Sequence, residues 1–433
     1  MSTSFHPDHP VFQVRKIKPE EVPWMLRRNI WTGVLGSTSV TLVTGGVLFT
    51  AYAQQEGMQD YQFGVLSTLV SFSALLMLLS PAIETRFGRR KYPWFMLAMF
   101  SRLMPLPLLL GFFWHVSPWV IIACVMLQVA ASSLGAPLWE SWLWDYAPGE
   151  SFGRFWARRS FWTSLGAAAA ALIAGWGVNL LPEQYRLKGI CVVFAVAIII
   201  GIIDLLYHVE IPEPPREAQP QGSAARMADA LRNAPFRNWV FAVAIWYFAV
   251  GIGGPFCLPY MMGPLGFSKN LLYASILSST LPGVLTLLTL PAWGRLTDRG
   301  NPGLVASVSC LAWATIPLFY YLARPESPVL FMVIAWGVGG FFPPGFTVAR
   351  PLMTRQLSGT DKTAPLVMFY VVVCIGSVLG SATGTLIVGA YGARDVFIVS
   401  FAVRVTAALL MLLLLVGLPA LARRKSAATN ETV

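Results

Sequence analysis

Long apolar runs alternate with short polar ones along the whole chain. A hydrocarbon core about 30 Å thick is crossed by roughly 20 residues of helix, so runs of that length predict membrane spans. Twelve occur, at 29–53, 61–83, 92–114, 118–141, 158–181, 187–207, 237–260, 270–294, 303–323, 327–352, 364–390 and 394–421. The longest polar interval, His208 to Asn233, holds PEPP and a Pro/Gln/Gly/Ser-rich stretch, which reads as a linker between six helices and six. The predicted organisation is a polar tail at 1–28, a six-helix bundle at 29–207, a linker at 208–236, a second bundle at 237–421 and a tail at 422–433. The basic first 28 residues lack the short apolar core and small-residue cleavage site of a removable signal peptide.

Composition narrows the class. Of 433 residues 56% are hydrophobic and 12% charged, against about 25% charged in a soluble protein. This apolar surface needs lipid as part of its solvent. Four His and five Cys, the latter all inside apolar runs, leave little for a metal centre, a His-based active site or a disulfide framework. With short loops and no Gly-x(4)-Gly-Lys-Ser/Thr loop, neither an intramembrane enzyme nor an ATP-driven pump is expected. The net charge of +11 is placed asymmetrically: 24 of the 31 Lys and Arg fall in the two tails and alternate loops. By the positive-inside rule both termini and the linker are expected to be cytoplasmic, and the basic balance needs no nucleic acid to explain it.

Two loops repeat. Pro81-Ala-Ile-Glu-Thr-Arg-Phe-Gly-Arg-Arg-Lys91 follows span two, and Gly294-Arg-Leu-Thr-Asp-Arg-Gly-Asn301 follows span eight. Arg86 and Arg299 are 213 residues apart, about half the chain, which is the mark of a duplicated six-helix unit. Here the sequence resembles the major facilitator superfamily, whose loop between helices two and three carries Gly-x-x-x-Asp-Arg-x-Gly-Arg-Arg/Lys. The first copy keeps Arg86, Gly88, Arg89 and Arg90, with Pro81 for the leading Gly, Thr85 for the Asp, and Glu84 one position early as its expected substitute. The second keeps Gly294, Asp298 and Arg299. Helix breakers cluster in spans one, four, seven and ten, which in that family line the cavity. Gly166 in span five and Gly376, Gly380 and Gly384 in span eleven are expected where helices approach closely, and the resemblance makes them surfaces that slide between halves.

What the resemblance implies is a twelve-helix, all-α membrane protein of two pseudo-symmetric six-helix bundles. Its expected function is secondary transport of a small organic solute, sugar-like or an organic anion, by alternating access with proton or cation coupling. A non-transporting sensor on the same fold is the alternative. The expected partners are a small-molecule substrate and the lipid bilayer, with no cofactor beyond coupling H+ or Na+. The chain is expected to act as a monomer in the inner (cytoplasmic) membrane.

Charges inside spans carry a cost of at least about 2.5–3.5 kcal/mol, so Arg102 and Arg404 are candidates for an anionic substrate group or a structural pair. Glu140, Asp145 and Asp204 lie near the ends of spans four and six; Glu140, beside Trp139 and Trp142, is the coupling candidate. The segment runs on to Asp145, Arg158 and Arg159 in a pattern loosely similar to the cation-coupled glycoside symporter branch, with a Trp interfacial belt and a carboxylate–arginine gate closing the cytoplasmic side as the alternative. Gln128, Trp246, Tyr247, Tyr260 and Trp336, with Thr38, Thr41, Thr44 and Phe342, are candidates for stacking and hydrogen bonding to a neutral solute. Span five has no Pro between Gly166 and Gly177, unlike drug/proton antiporters.

Overall fold

The computed structural model describes residues 12–44, 46–146, 152–215, 231–357 and 363–417. The C-terminal tail and most of the linker lie outside these residues. Among the described residues twelve helices are long and apolar enough to cross a membrane. They are α1 (Pro19–Gln55), α2 (Asp60–Leu79), α3 (Lys91–Phe112), α4 (Pro118–Glu140), α5 (Arg158–Asn179), α6 (Glu183–His208), α7 (Ala234–Met262), α8 (Leu271–Thr297), α9 (Pro302–Leu322), α10 (Pro328–Thr354), α11 (Met368–Tyr391) and α12 (Asp395–Gly417). Helices satisfy their own backbone groups, which is what lipid demands of a spanning segment. Among the described residues the sole strand-type pairing is an isolated parallel bridge between Val14 and Glu213. Large apolar side chains such as Trp31, Phe72, Leu288 and Leu386 stay exposed, as a lipid-facing surface requires.

The chain forms two compact units. One contains Met1–Gln59, Phe72–Gln219 and Phe267–Thr280; the other contains Asp60–Ser71, Pro220–Gly266 and Leu281–Val433. Inside the first, α1 packs on α5 and α6, and α3 on α4. Inside the second, α7 packs on α11 and α12, and α9 on α10. The pairing pattern is thus duplicated along with the sequence.

Small residues set these pairings. A Cβ on Gly376 would stand 2.6 Å from the Ala244 carbonyl oxygen, and Cβ atoms on Gly380 and Gly384 would overlap the carbonyls of Phe248 and Ile252. The α11 glycines therefore seat backbone on backbone against α7 within one unit, while Gly166 of α5 makes room for the Val34 side chain of α1. The glycines expected on surfaces that slide between halves stand here against helices of their own unit. The expected helix breaks are also partly revised. Regular helix ends at Val43, at Gly253 and at Phe341, in α1, α7 and α10. The helix containing α4 runs unbroken through Pro137, from Pro118 to Tyr146.

Gly380→Val should lower the thermal unfolding midpoint of the detergent-solubilised protein, by an overpacking cost of about 1–3 kcal/mol or more. Gly389→Ala, where no atom stands within 4 Å of a new Cβ, should leave it unchanged in the same scan.

Candidate functional site

The first basic loop is built around Arg90. The helical stretch Ser80–Phe87 is stopped by Gly88 at φ 63°, a left-handed conformation suited to glycine, and its N–H donates to the Glu84 carbonyl at 2.9 Å. This turn delivers Arg90 into a buried position where it pairs with Asp145 at 2.6 Å, Glu213 at 3.4 Å and Glu84 at 3.9 Å. Glu84 does reach the arginine, but as the most distant of three carboxylates. Glu213 also accepts the backbone N–H of Arg90 at 2.7 Å and of Lys91 at 3.2 Å. Its charge lies at the N-terminus of α3, where unpaired N–H groups favour an anion. The linker's first residues are held down in turn: Arg15 N–H donates to the Glu213 carbonyl at 3.0 Å and Trp142 Nε1 to the Pro212 carbonyl at 3.1 Å. Arg86 is exposed and Arg89 half-buried.

A second polar centre lies inside the first unit, between α1, α3, α5 and α6. Arg102 Nη2 donates to Asp204 Oδ2 at 3.0 Å. Arg102 occupies the last regular turn of α3 before Pro105 and Pro107, and Asp204 lies on α6. Arg159 Nε donates to Asn29 Oδ1 at 2.9 Å, and Asn29 Nδ2 to the Tyr146 hydroxyl at 3.0 Å. The guanidinium of Arg159 covers the Trp139 ring, 4.8 Å from its centroid, and Trp139 Nε1 donates to His208 Nε2 at 3.0 Å.

Glycines on α1 and α6 make the room. A Cβ on Gly33 would stand 2.8 Å from Arg159 Nη2, one on Gly36 2.7 Å from Asp204 Oδ2, and one on Gly201 2.7 Å from Arg102 Cδ. In α1, Gly33 and Gly36 lie inside the unbroken helix Val22–Val43 and serve as space for two arginines, not as breaks.

The remaining candidates distribute unevenly. Asp145 pairs with Arg90, while Arg158 is exposed, so the expected gate between Asp145 and Arg158 or Arg159 is not assembled. Glu140 is half-buried on α4, with no hydrogen-bond or ion-pair partner among the described residues. Gln128 is buried, with its Oε1 unpartnered. Trp142 is a core residue against Trp94 and His208. In the second unit Gly294 is half-buried and Arg299 exposed, and the Asp298 side chain lies outside the described set. Trp246 packs at a tilt against Trp313 and Tyr247 against Phe346, and Tyr260 meets Phe397 edge to face. Arg404 is buried on α12 and donates to the Val250 carbonyl at 3.1 Å, just before the break in α7. Asn29, Tyr146, His208 and Glu213 were not singled out from the sequence. A lone Asn or acid at the edge of an apolar run was the one available signal.

The Major Facilitator Superfamily profile matches residues 30–281 and 254–432, and the chain belongs to that superfamily. With twelve helices long and apolar enough to cross a membrane among the described residues, it is a multi-pass membrane protein. Among its relatives, a multidrug resistance protein MdtG from Rahnella sp. is 24% identical over 240 residues, 55% of this chain and 57% of that protein. The chain thus spans little more than half the length of the curated relatives it matches. Two solved structures share the fold. The nucleoside transporter NupG superposes with a TM-score of 0.67 at 14% identity over 90% of this chain and 98% of its own. A D-xylose-proton symporter superposes with 0.62 at 16% over 89% and 96%.

Removing one partner of a buried ion pair costs about 3–5 kcal/mol, mostly through the charge left behind. Arg90→Ala and Glu213→Ala should each lower the unfolding midpoint clearly. Because they share one network, the double variant should fall short of the sum by about 1 kcal/mol or more, a shortfall that a thermal double-mutant cycle reads directly.

Proposed function

We propose that this chain is a secondary transporter of a small organic solute, sugar-like or an organic anion, working by alternating access as a monomer. Both termini face the cytoplasm on this reading, in the inner membrane of a bacterial-type cell. The observation that carries it is the ion pair of Arg102 with Asp204, with Arg159 beside it, inside the first helical unit. Charges at membrane depth are costly and are kept where they bind or couple. Protonating Asp204 would remove the charge that Arg102 holds, so occupancy by a proton and the fit between α3 and α6 are linked. That makes Asp204 the leading coupling carboxylate, ahead of Glu140, which has no basic partner among the described residues. Protons are favoured over Na+ because the acid is already committed to an arginine.

A second reading is export of chemically varied compounds, favoured by the names of the sequence relatives. Against it stands the absence of Pro from the Gly166–Gly177 stretch of α5.

Purified protein in liposomes should accumulate a member of a labelled panel of nucleosides, sugars, carboxylates and amino acids when a proton gradient is imposed. Asp204→Asn should cut gradient-driven accumulation by about tenfold or more while sparing solute exchange, and Glu140→Gln should leave accumulation within about twofold of wild type. Undiminished accumulation by Asp204→Asn removes that residue from coupling. Efflux of varied cationic dyes without uptake of any panel member would select the second reading, and binding without flux would select the sensor.

A further inference from the structure

The first N–H groups of a helix have no partner inside it. At the start of α3 those of Arg90 and Lys91 both donate to the Glu213 carboxylate, so a residue more than a hundred positions along the chain caps this helix. Before Glu213 the chain is held by burial of Ile211 and by Trp142 on the Pro212 carbonyl. Glu213 itself is met by the start of the chain. Val14 forms a parallel bridge with it, and the Arg15 N–H donates to its carbonyl at 3.0 Å. Pro212, Pro214 and Pro215 carry no N–H, so this pairing cannot lengthen into a ladder and stays a single bridge.

The segment that makes the bridge is fastened by one side chain. Phe12 is fully buried, edge-on to Tyr92 with ring centroids 5.3 Å apart and tilted against Phe95 at 5.5 Å, and Lys91 Nζ lies 5.9 Å from its ring centre. Gln13, Val14, Arg15 and Lys16 are exposed, and the pair of Arg15 with Glu21 is a surface one, worth little. One buried ring and one backbone hydrogen bond oppose the conformational entropy of ordering four residues, and these contributions are of similar size. Docked and released forms of the segment are therefore close in free energy, and local opening reaches the second without unfolding the unit.

We propose that residues 12–15 are a releasable strap that fastens Glu213 over the start of α3. Docked, the strap completes the set of three carboxylates around Arg90. Released, it lets the first residues of the linker leave α3, takes the Glu213 acceptor away from the Arg90 and Lys91 N–H groups, and leaves Arg90 with Asp145 and Glu84. The device lies wholly inside the first unit and stands whether or not the chain transports.

The test is hydrogen–deuterium exchange of the full chain in detergent, read at single amides by mass spectrometry with fragmentation. The Arg90 and Lys91 amides lie ahead of the intrahelical ladder, so their protection reports Glu213. In wild type the Arg15, Arg90 and Lys91 amides should share one protection factor, lower than that of the α3 interior at 96–101. Phe12→Ala should speed the exchange of all three by about tenfold or more and leave the α3 interior as in wild type. Should that variant not fold, two changes at Arg15 decide: Arg15→Pro, which removes the N–H, should deprotect Arg90 and Lys91, and Arg15→Ala, which keeps it, should not. An Arg15 amide as protected in wild type as the α3 interior overturns the proposal, because the strap then opens only with the whole unit. Arg90 and Lys91 amides unchanged in Phe12→Ala or Arg15→Pro overturn it too, as does acceleration spread through the α3 interior, which would make Phe12 an ordinary core residue.

Discussion

The interaction on which the first unit depends is the pairing of charge within an apolar interior. A guanidinium or carboxylate taken out of water loses several kcal/mol of solvation, and only a well-placed opposite charge with further hydrogen bonds offsets that loss. Arg90 meets three carboxylates, Arg102 meets Asp204, and Arg159 is divided between an amide oxygen and an indole face. Each pair joins segments distant in sequence. Arg102 and Asp204 tie α3 to α6, and Arg90 and Glu213 tie the loop after α2 to the start of the linker. The same ties that make the charges tolerable therefore determine which helices lie together, and a change of charge at Asp204 is a change in packing.

Such pairs need room, and glycine provides it in two ways. On α1 and α6 the absent side chains of Gly33, Gly36 and Gly201 leave volume that arginine and aspartate atoms fill. On α11 the absent side chains of Gly376, Gly380 and Gly384 let a neighbouring backbone come into contact. Both uses rest on the close packing of protein interiors, where a methyl group is a significant volume. They differ in consequence, because a slot filled by a paired charge can change when the charge changes, whereas a backbone seat is fixed.

The spans, the duplication and the loop containing Arg90 were legible in the sequence, because each rests on local pattern: run length for lipid thickness, half-chain spacing for the repeat, and a basic cluster with a turn-forming glycine. The pairings were not. Arg102 and Asp204 are separated by 102 residues, and no periodicity in either helix says that their faces meet. Glu213 was hidden for a different reason. It stands in a Pro-rich run that composition marks as linker, yet Ile211 is buried and the Glu213 carboxylate caps a helix. Gly33 and Gly36 of span one were misread as breakers, whereas Gly46 does stand where regular helix stops and restarts; Gly is the same signal for a bend and for a vacancy, and only the neighbours distinguish them. The partners of the expected gate residues were hidden likewise: among the described residues Asp145 pairs with Arg90, and Arg159 donates to Asn29.

Duplication of the fold did not duplicate the chemistry. In the first unit the sixth helix carries an acid, Asp204, and the third helix carries its cation. In the second unit the sixth helix, α12, carries a cation, Arg404, and the third helix, α9, supplies Ser307, Ser309, Cys310 and Tyr320 but no carboxylate. The helix pairings that surround them correspond in the two units, so the difference lies in side chains alone. A buried acid held by an arginine can take up a proton and release its partner. The buried arginine of the second unit has no such acid among the described residues and donates to the Val250 carbonyl instead. The same scaffold thus carries a different arrangement of charge in each half.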